Sequence, residues 1–327
     1  MRLIDASYEI IPQEEGLLGV YKQIEKAART AYKSEDRIAE GSAQKMVEAL
    51  CKSSHGAALE HGTIYLKKRF DVSAMGSYRK NGIQKYDLDP YSKVVCDDHM
   101  DLCNAYITTN ARVIFENGWE DDLQYMCEPT EFHEKRITVK FTTSIGIVRE
   151  ILRHRNFSFL NESTRYCNYS KGKFNEELTF IIPQWIYDCR DEWAPTTKWP
   201  GEKLDYLYDY SGEKLVHHLT AIDRTVAAYY DLFEKIESEY IFDVTEPDGY
   251  KLKPEEARGM LPLDLKSELI VTGFVSDWIH FFRLRSHIAA TGKPHPDIQK
   301  LADPLMQEFI DRGYCTYEEI HKEQVPS

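Results

Sequence analysis

Between Ile137 and His154 the chain changes its hydrophobic period once, and that change limits the folds open to it. Ile137, Val139 and Phe141 alternate with polar neighbours, as one face of a strand does. From Thr142 to His154 the apolar residues recur at helical spacing instead. The same mixture continues elsewhere. Leu17, Leu18, Tyr21, Ile24, Ala27, Ala28 and Ala31 mark an amphipathic helix over Gly16 to Ser34. A second helix is expected from about Ser42 to Cys51, with Ser42 as its N-cap. His61 to Phe70 reads as a strand, and about Asp98 to Asn117 as a helix.

Ser211 to Tyr240 holds the longest helical pattern, with Leu215, Leu219, Ile222, Val226, Tyr229, Tyr230 and Phe233 along one face. A further helix starts near Pro254 and breaks at Leu261-Pro262. It resumes as a long apolar helix from about Asp264 to Arg285, and Asp297 to Arg312 supplies the last one. The expected class is α/β of the α+β type, a small, mostly antiparallel sheet flanked by long helices, in one domain over residues 1–327.

At 327 residues the chain can bury a core without covalent staples. Its formal net charge of -13 makes the surface as a whole repel nucleic acid and anionic membranes. An anionic ligand would therefore need a local cluster of arginines. The N-terminal stretch lacks a basic segment followed by an apolar run, so no signal peptide is expected. The apolar stretch from Leu269 to Phe282 is too short to span a bilayer and is interrupted by Ser276, Asp277 and His280. Seven cysteines without CxxC spacing point to reduced thiols and a cytoplasmic protein. His55 and His61 do not share a helical face and have no cysteine at ligand spacing, so no metal is expected. The absence of GxGxxG argues against a dinucleotide in a Rossmann crevice.

The run REILRHRNFSFLNESTRY, from Arg149 to Tyr166, carries most of the functional content. Arg149, Arg153, Arg155 and Arg165 fall within it, and Arg136 stands just before it. Arg149 and Arg153 are spaced to share a helix face, with Arg153, His154 and Arg155 at that helix's end. A phosphate dianion favours two or more guanidinium forks with hydroxyl or backbone donors, because bidentate charged bonds fix its orientation as well as its charge. The plain structural alternative is a solvated basic helix end that complements the helix dipole.

Arg153-His154-Arg155, then Ser163, then Arg165-Tyr166, resembles the signature of the flavin-dependent thymidylate synthase family. Other segments follow in the family's order: Ala27–Arg29, Ser54–His61, Glu256–Pro262, Trp278–Arg285 and the closing HPDIQKLA. The likeness covers roughly residues 1–70 and 135–312. It implies the thymidylate synthase-complementing fold and a reductive methylation of dUMP to dTMP. The carbon donor would be 5,10-methylenetetrahydrofolate, the hydride donor reduced FAD, and NADPH its reductant. A homotetramer with shared active sites is implied as well. By resemblance, Arg285 is the catalytic residue. Glu150, Arg153, Asn161, Ser163, Arg165, Arg258 and Arg285 fall on dUMP-binding positions. His61, Thr63, Arg153, His154, Arg155, Asn161 and His280 fall on FAD-binding positions. Ser163 reads as a phosphate ligand, since no His/Asp pair stands ready to activate it. Glu150 departs from a glutamine common in the family, and Ala31 from a hydroxyl residue for which Thr30 offers a substitute.

Residues 71–134 fall outside the likeness and read as an insertion that decorates the surface or a subunit contact, with Tyr78 to Asn81 as a possible lid. The thymidylate synthases that use a cysteine nucleophile place it in a Pro-Cys-His context, which no cysteine here has. A non-catalytic nucleotide- or nucleic-acid-binding module using the Arg136–Arg165 patch is the rival class. The charge of -13 argues against it.

Overall fold

The computed structural model describes residues 2–71, 82–97, 102–164, 178–190, 213–231, 254–289 and 292–322. The first third contains β1 (Arg2–Ile4), β2 (Ser7–Ile11), α1 (Gly16–Tyr32), α2 (Ser42–Lys52), α3 (Gly56–Leu59) and β3 (Thr63–Asp71). Next come α4 (Gln84–Asp87), β4 (Lys93–Cys96), β5 (Leu102–Asn110), α5 (Ala111–Glu116), β6 (Arg136–Ser144), α6 (Ile145–Ile151) and β7 (Ser158–Asn161). The remainder holds β8 (Thr179–Ile181), α7 (Gln184–Arg190), α8 (Glu213–Asp231), α9 (Pro254–Ala257), β9 (Lys266–Phe274), α10 (Val275–Arg285), α11 (Pro296–Asp311) and α12 (Tyr317–His321). The result is the expected mixed α/β chain, its strands arranged in three small sheets among the described residues.

The chain forms two compact units. The larger comprises Tyr8–Phe141, Leu152–Asn161 and Leu269–Ser327. Its helix α1 buries Val20, Ile24 and Ala28 against Val47 and Leu50 of α2, as the apolar periodicity demands. Ser42 is not the cap of α2. Gly41, at φ 74°, precedes the helix, and the Ser42 hydroxyl instead bonds Glu25 of α1 at 2.8 Å.

Strand β3 pairs antiparallel with β5 from Thr63↔Asn110 to Asp71↔Leu102, and β4 covers the other side of β5. The helix expected over 98–117 is therefore a strand until Asn110. Tyr106, Ile107, Thr108 and Thr109 are aromatic or β-branched and suit a pleated surface. Only then does α5 begin, with Asn110 Oδ1 accepting from Val113 N at 3.1 Å as its N-cap. Ile83, Tyr86, Ala105, Ile107 and Ile114 are fully buried in the same core as Ile24 and Ile64. The described part of 71–134 thus contributes residues to the core, while Leu88 and Tyr91 stay exposed. Tyr78 to Asn81 lie outside the described residues.

Strands β2, β6, β9 and β7 lie in that order in one sheet, with β7 antiparallel to β9. The long apolar helix expected from Asp264 is overturned, because β9 occupies its first half and α10 only the second. Ile270 and Val271 are both fully buried, so neighbouring residues on opposite faces leave no alternation to mark a strand. Trp278, Phe281 and Phe282 of α10 are fully buried and pack near Phe309 of α11, with the Trp278 and Phe309 rings 5.4 Å apart. Trp278 Nε1 donates to the Ile137 carbonyl at 3.1 Å.

The smaller unit comprises Met1–Ser7, Thr142–Ile151 and Glu162–Glu268. Its β1 and β8 run parallel, Arg2 opposite Thr179. Leu3, Phe180, Ile182, Ile222, Val226, Tyr229 and Leu265 make its core. Ile222, Val226 and Tyr229 are the face anticipated for the long helix, of which α8 is the described part.

Candidate active site

Helix α6 stops at Ile151, so Arg153, His154 and Arg155 lie in the turn before β7, not on a helix face shared with Arg149. Aromatic packing in the larger unit sets this turn. Phe157 sits 4.6 Å from Trp278 between ring centroids and lies over Gly273, where a Cβ would come within 2.1 Å of the Phe157 ring. That close approach requires glycine. The Phe157 N–H donates to the His154 carbonyl at 3.2 Å, and the His154 ring packs 5.1 Å from Phe281. Helix α10 then presents Asp277, His280, Leu284 and Arg285 to the same turn. Together they line a cleft of about 550 Å³, within the range of small-molecule sites.

Two hydrogen bonds join the two segments: Arg285 Nε donates to His154 Nε2 at 3.0 Å, and Asn156 Nδ2 to Asp277 Oδ1 at 3.1 Å. His154 must accept there, so its proton sits on Nδ1 and the ring is neutral. Burial foremost, then the nearby charges of Arg285, His280 and Arg153, push its pKa down to about 4. Arg153 and Arg155 are exposed and make no hydrogen bond or ion pair with any described residue. Asp277, also in the cleft wall, accepts from Asn156 Nδ2 (3.1 Å) and from the Phe274 N–H (3.2 Å). Burial raises its carboxyl pKa, against the pull of Asn156 and Lys93. The cleft is cationic, with flat rings in its walls, and suits an anionic planar ligand.

In the smaller unit Arg258 Nη1 donates to Thr164 Oγ1 at 3.3 Å, which brings it to the loop that carries Ser163. Glu162 anchors that loop. Its fully buried carboxylate takes Lys266 Nζ at 2.9 Å and the Glu268 N–H at 3.2 Å. Lys266 also meets Glu268 at 3.3 Å. Burial alone would lower the Lys266 pKa, yet Glu162 and Glu268 raise it. Sequence reading missed this group because Lys266 and Glu268 were assigned to a helix, where residues two apart diverge. On a strand they share a face. Glu150 is half-buried on α6, and Arg165 lies outside the described residues.

Other anticipated residues do not line the cleft. His61 is fully buried, with Nδ1 2.8 Å from Thr272 Oγ1, and burial followed by the Arg136 charge pushes its pKa down to about 3. Thr63 exchanges two 2.8 Å hydrogen bonds with the Gln13 side chain and lines a second, smaller cavity of about 220 Å³. Asn161 ends β7 opposite Leu269. The Thr30 hydroxyl donates to the Lys26 carbonyl at 3.0 Å and is consumed inside α1. Arg136 leaves the proposed anion patch altogether. It is buried, and donates to the Glu60 carbonyl (3.0 Å) and Ser158 Oγ (3.1 Å). Among the described residues no His/Cys/Asp/Glu group is arranged to hold a metal ion, and no helix is long and apolar enough to cross a membrane.

Residues 122–312 match the family model described as thymidylate synthase complementing protein. That span takes in Arg153 to Arg165, Arg258 and Arg285, and leaves His61 and Thr63 outside it. The chain is 29% identical over 174 residues to a flavin-dependent thymidylate synthase of Synechocystis, covering 53% of this chain and 67% of that relative. It is 24% identical over 172 residues to one of Corynebacterium aurimucosum, covering 53% of this chain and 56% of that relative. Among solved structures it resembles a UMP/dUMP methylase of Streptomyces cacaoi bound with 5-Br dUMP. There the TM-score is 0.38 at 18% identity, over 95% of this chain and 93% of the other. Thymidylate synthase X of Helicobacter pylori with FAD and dUMP gives 0.38 at 13% identity, over 97% and 100%.

Proposed function

The chain belongs to the thymidylate synthase complementing protein family, and from that premise we propose that it is a flavin-dependent thymidylate synthase. It methylates dUMP to dTMP with 5,10-methylenetetrahydrofolate as carbon donor, and releases tetrahydrofolate. The observation that carries this reading is the Arg285–His154 hydrogen bond, which unites the Arg-His-Arg turn with the last active-site helix in one cationic cleft.

The residues fit a flavin. Arg153 and Arg155 offer charge to an anion, the His154 Nδ1–H is a fixed donor, and Phe157 and His280 supply flat walls. When bound and reduced by NADPH, FAD would supply the hydride that completes the methyl group. Arg153, His154, Arg155 and His280 would hold it within this cleft, whereas Asn161, His61 and Thr63, which the resemblance also assigns to FAD, would reach it only from outside the cleft lining. Arg285 stands beside the uracil ring, where a fixed cation stabilises negative charge as carbon 5 becomes nucleophilic. Ser163, Arg165 and Arg258 take the dUMP phosphate, with Glu150 and Arg153 at its edge. Arg258 beside Thr164 supports that assignment. The chain acts as one catalytic domain elaborated at residues 71–134, in a cytoplasmic homotetramer whose subunits share active sites, and requires no metal.

Purified protein should be yellow, with flavin absorbance released on denaturation. Tritium release from 5-labelled dUMP should require FAD, NADPH and methylenetetrahydrofolate together. Colourless protein that takes up no FAD, yet binds polynucleotide with a steep salt dependence, would sink the reading.

A further inference from the structure

Arg285 is the last residue of α10, a position where helices fray because the final carbonyls lack partners within the helix. A side chain there is only as well aimed as its backbone. This helix end is gripped from two sides. Before Arg285, the Arg283 guanidinium donates to the Ile320 carbonyl at 2.6 Å and the Glu319 carbonyl at 2.5 Å, both of α12. After it, Asp303 of α11 collects the turn. Its Oδ1 accepts from Ser286 Oγ at 2.6 Å and from the His287 N–H at 2.9 Å, while Oδ2 contacts His287 Nδ1. Ser286 is fully buried, donates its N–H to Phe282 at 2.9 Å, and accepts from the Ile288 N–H at 3.1 Å.

The chain leaves the helix at Ser286 in an extended conformation, φ -81° and ψ 135°, without the glycine that commonly closes a helix. The Asp303 carboxylate pins the turn that follows the helix instead, accepting from three donors on two successive residues. It does not line the cleft. Arg285 sits between the two clamps and turns to His154.

We propose that Asp303 is a positioning residue for Arg285, holding the Ser286–His287 turn so that the guanidinium stays registered on His154 and the cleft. The role in turnover rests on the function proposed above, whereas the anchoring itself does not. Asp303→Ala removes the whole clamp, and Ser286→Ala removes one donor at little risk to folding.

The direct readout is the His154 ring in ¹⁵N-histidine NMR. In both variants its tautomer balance and titration should move toward those of Arg285→Ala, with Asp303→Asn falling between Asp303→Ala and wild type. In the dTMP assay kcat should fall on the order of 10- to 100-fold for Asp303→Ala, the scale of a small misplacement. Flavin content and the KM for dUMP should change less than about twofold by the same logic of lost aim rather than lost binding. An unchanged His154 signal in Asp303→Ala and Ser286→Ala overturns the proposal. So does a kcat loss matched by equal loss of flavin. A His154 shift in a protein that makes no dTMP supports the anchor and overturns the reaction instead.

Discussion

Two regions of the larger unit gather positive charge, and they treat it in opposite ways. In the first, Asp122 takes Lys68 Nζ at 2.5 Å, Lys85 Nζ at 2.6 Å and the Tyr86 hydroxyl at 2.8 Å. Lys85 also lies 4.4 Å over the Trp119 ring. The Lys68 and Asp122 side chains are only 7% and 11% exposed, so both lysines meet a shared acid partner within the protein. In the second, Arg153, Arg155 and Arg285 surround a neutral histidine, and the one carboxylate in the wall is turned to Asn156. A knot of ions joined through a shared acid holds segments together, whereas the exposed Arg153 and Arg155, which meet no acid among the described residues, are open to an anion from outside.

If that contrast is sound, Asp122→Ala should produce the largest change in stability. It strands the buried Lys68 and leaves the partly exposed Lys85 without its acid, a loss of roughly 3–5 kcal/mol for a broken buried pair, read by denaturant melts. The acid side follows. Burial would raise the Asp122 pKa, but the hydrogen bonds from Lys68, Lys85 and Tyr86 outweigh it and hold the carboxyl below its ordinary range. A depressed carboxyl contributes its stability above the unfolded pKa and loses it as pH falls through the folded one. The alanine variant should therefore melt with a weaker dependence on pH in the acid range.

Arg285→Ala should do the reverse. Turnover should drop by about 10²–10³, the scale of one lost electrostatic group in a transition state, while the melting curve and bound flavin stay near wild type. A variant that lost its flavin and kept its turnover would place Arg285 in cofactor binding rather than in chemistry.

The contrast also explains what could be read before any coordinates. The Arg-His-Arg turn and Arg285 stand out in the sequence as fixed residues in a motif, and the structure brings His154 and Arg285 together, with Arg258 beside Thr164. The helix faces of α1 and α8 were legible for the usual reason of period. Strands β5 and β9 were not. Both are buried among neighbours on either face, so Ala105 with Ile107, or Ile270 with Val271, show no period that separates strand from helix. Two consequences follow: the Lys266–Glu268 pair stays hidden, and the buried residues Ile83, Tyr86, Ala105 and Ile107 go unannounced in the sequence. Partners distant in sequence were equally invisible. Nothing near Lys68 announces Asp122, and nothing near Ser286 announces Asp303.

A smaller effect should come from pH acting on the cleft itself. The His154 pKa lies at about 4, far below the 6.5 of an exposed ring. Below pH 6.5 the unfolded chain therefore takes up a proton that the folded protein refuses, and stability falls as pH drops toward 4. For this one group the loss between pH 7 and pH 5 is roughly 2 kcal/mol. His154→Gln should remove that increment and leave the remainder of the pH profile, including the part due to His61, in place. A profile that kept its full slope would mean that His154 accepts a proton freely, and that the neutral ring between Arg153 and Arg285 is not a feature of the folded state.

The smallest effect belongs to Arg149. It lies in the same arginine-rich run, is exposed on α6, and has no hydrogen-bonding or ionic partner among the described residues. By the absence of an acid partner alone it would qualify with Arg153. What it lacks is a place among the residues that line the Arg153–Arg285 cleft. An isolated exposed guanidinium gains little from any contact and is screened by salt. Arg149→Ala should therefore leave the dUMP KM unchanged and shift stability by less than about 0.5 kcal/mol. A severalfold rise in KM would show that Arg149 reaches the nucleotide in the assembled enzyme. In that case the run's arginines act as a set defined by sequence, and the cleft would owe less to the turn that Phe157 and Gly273 shape.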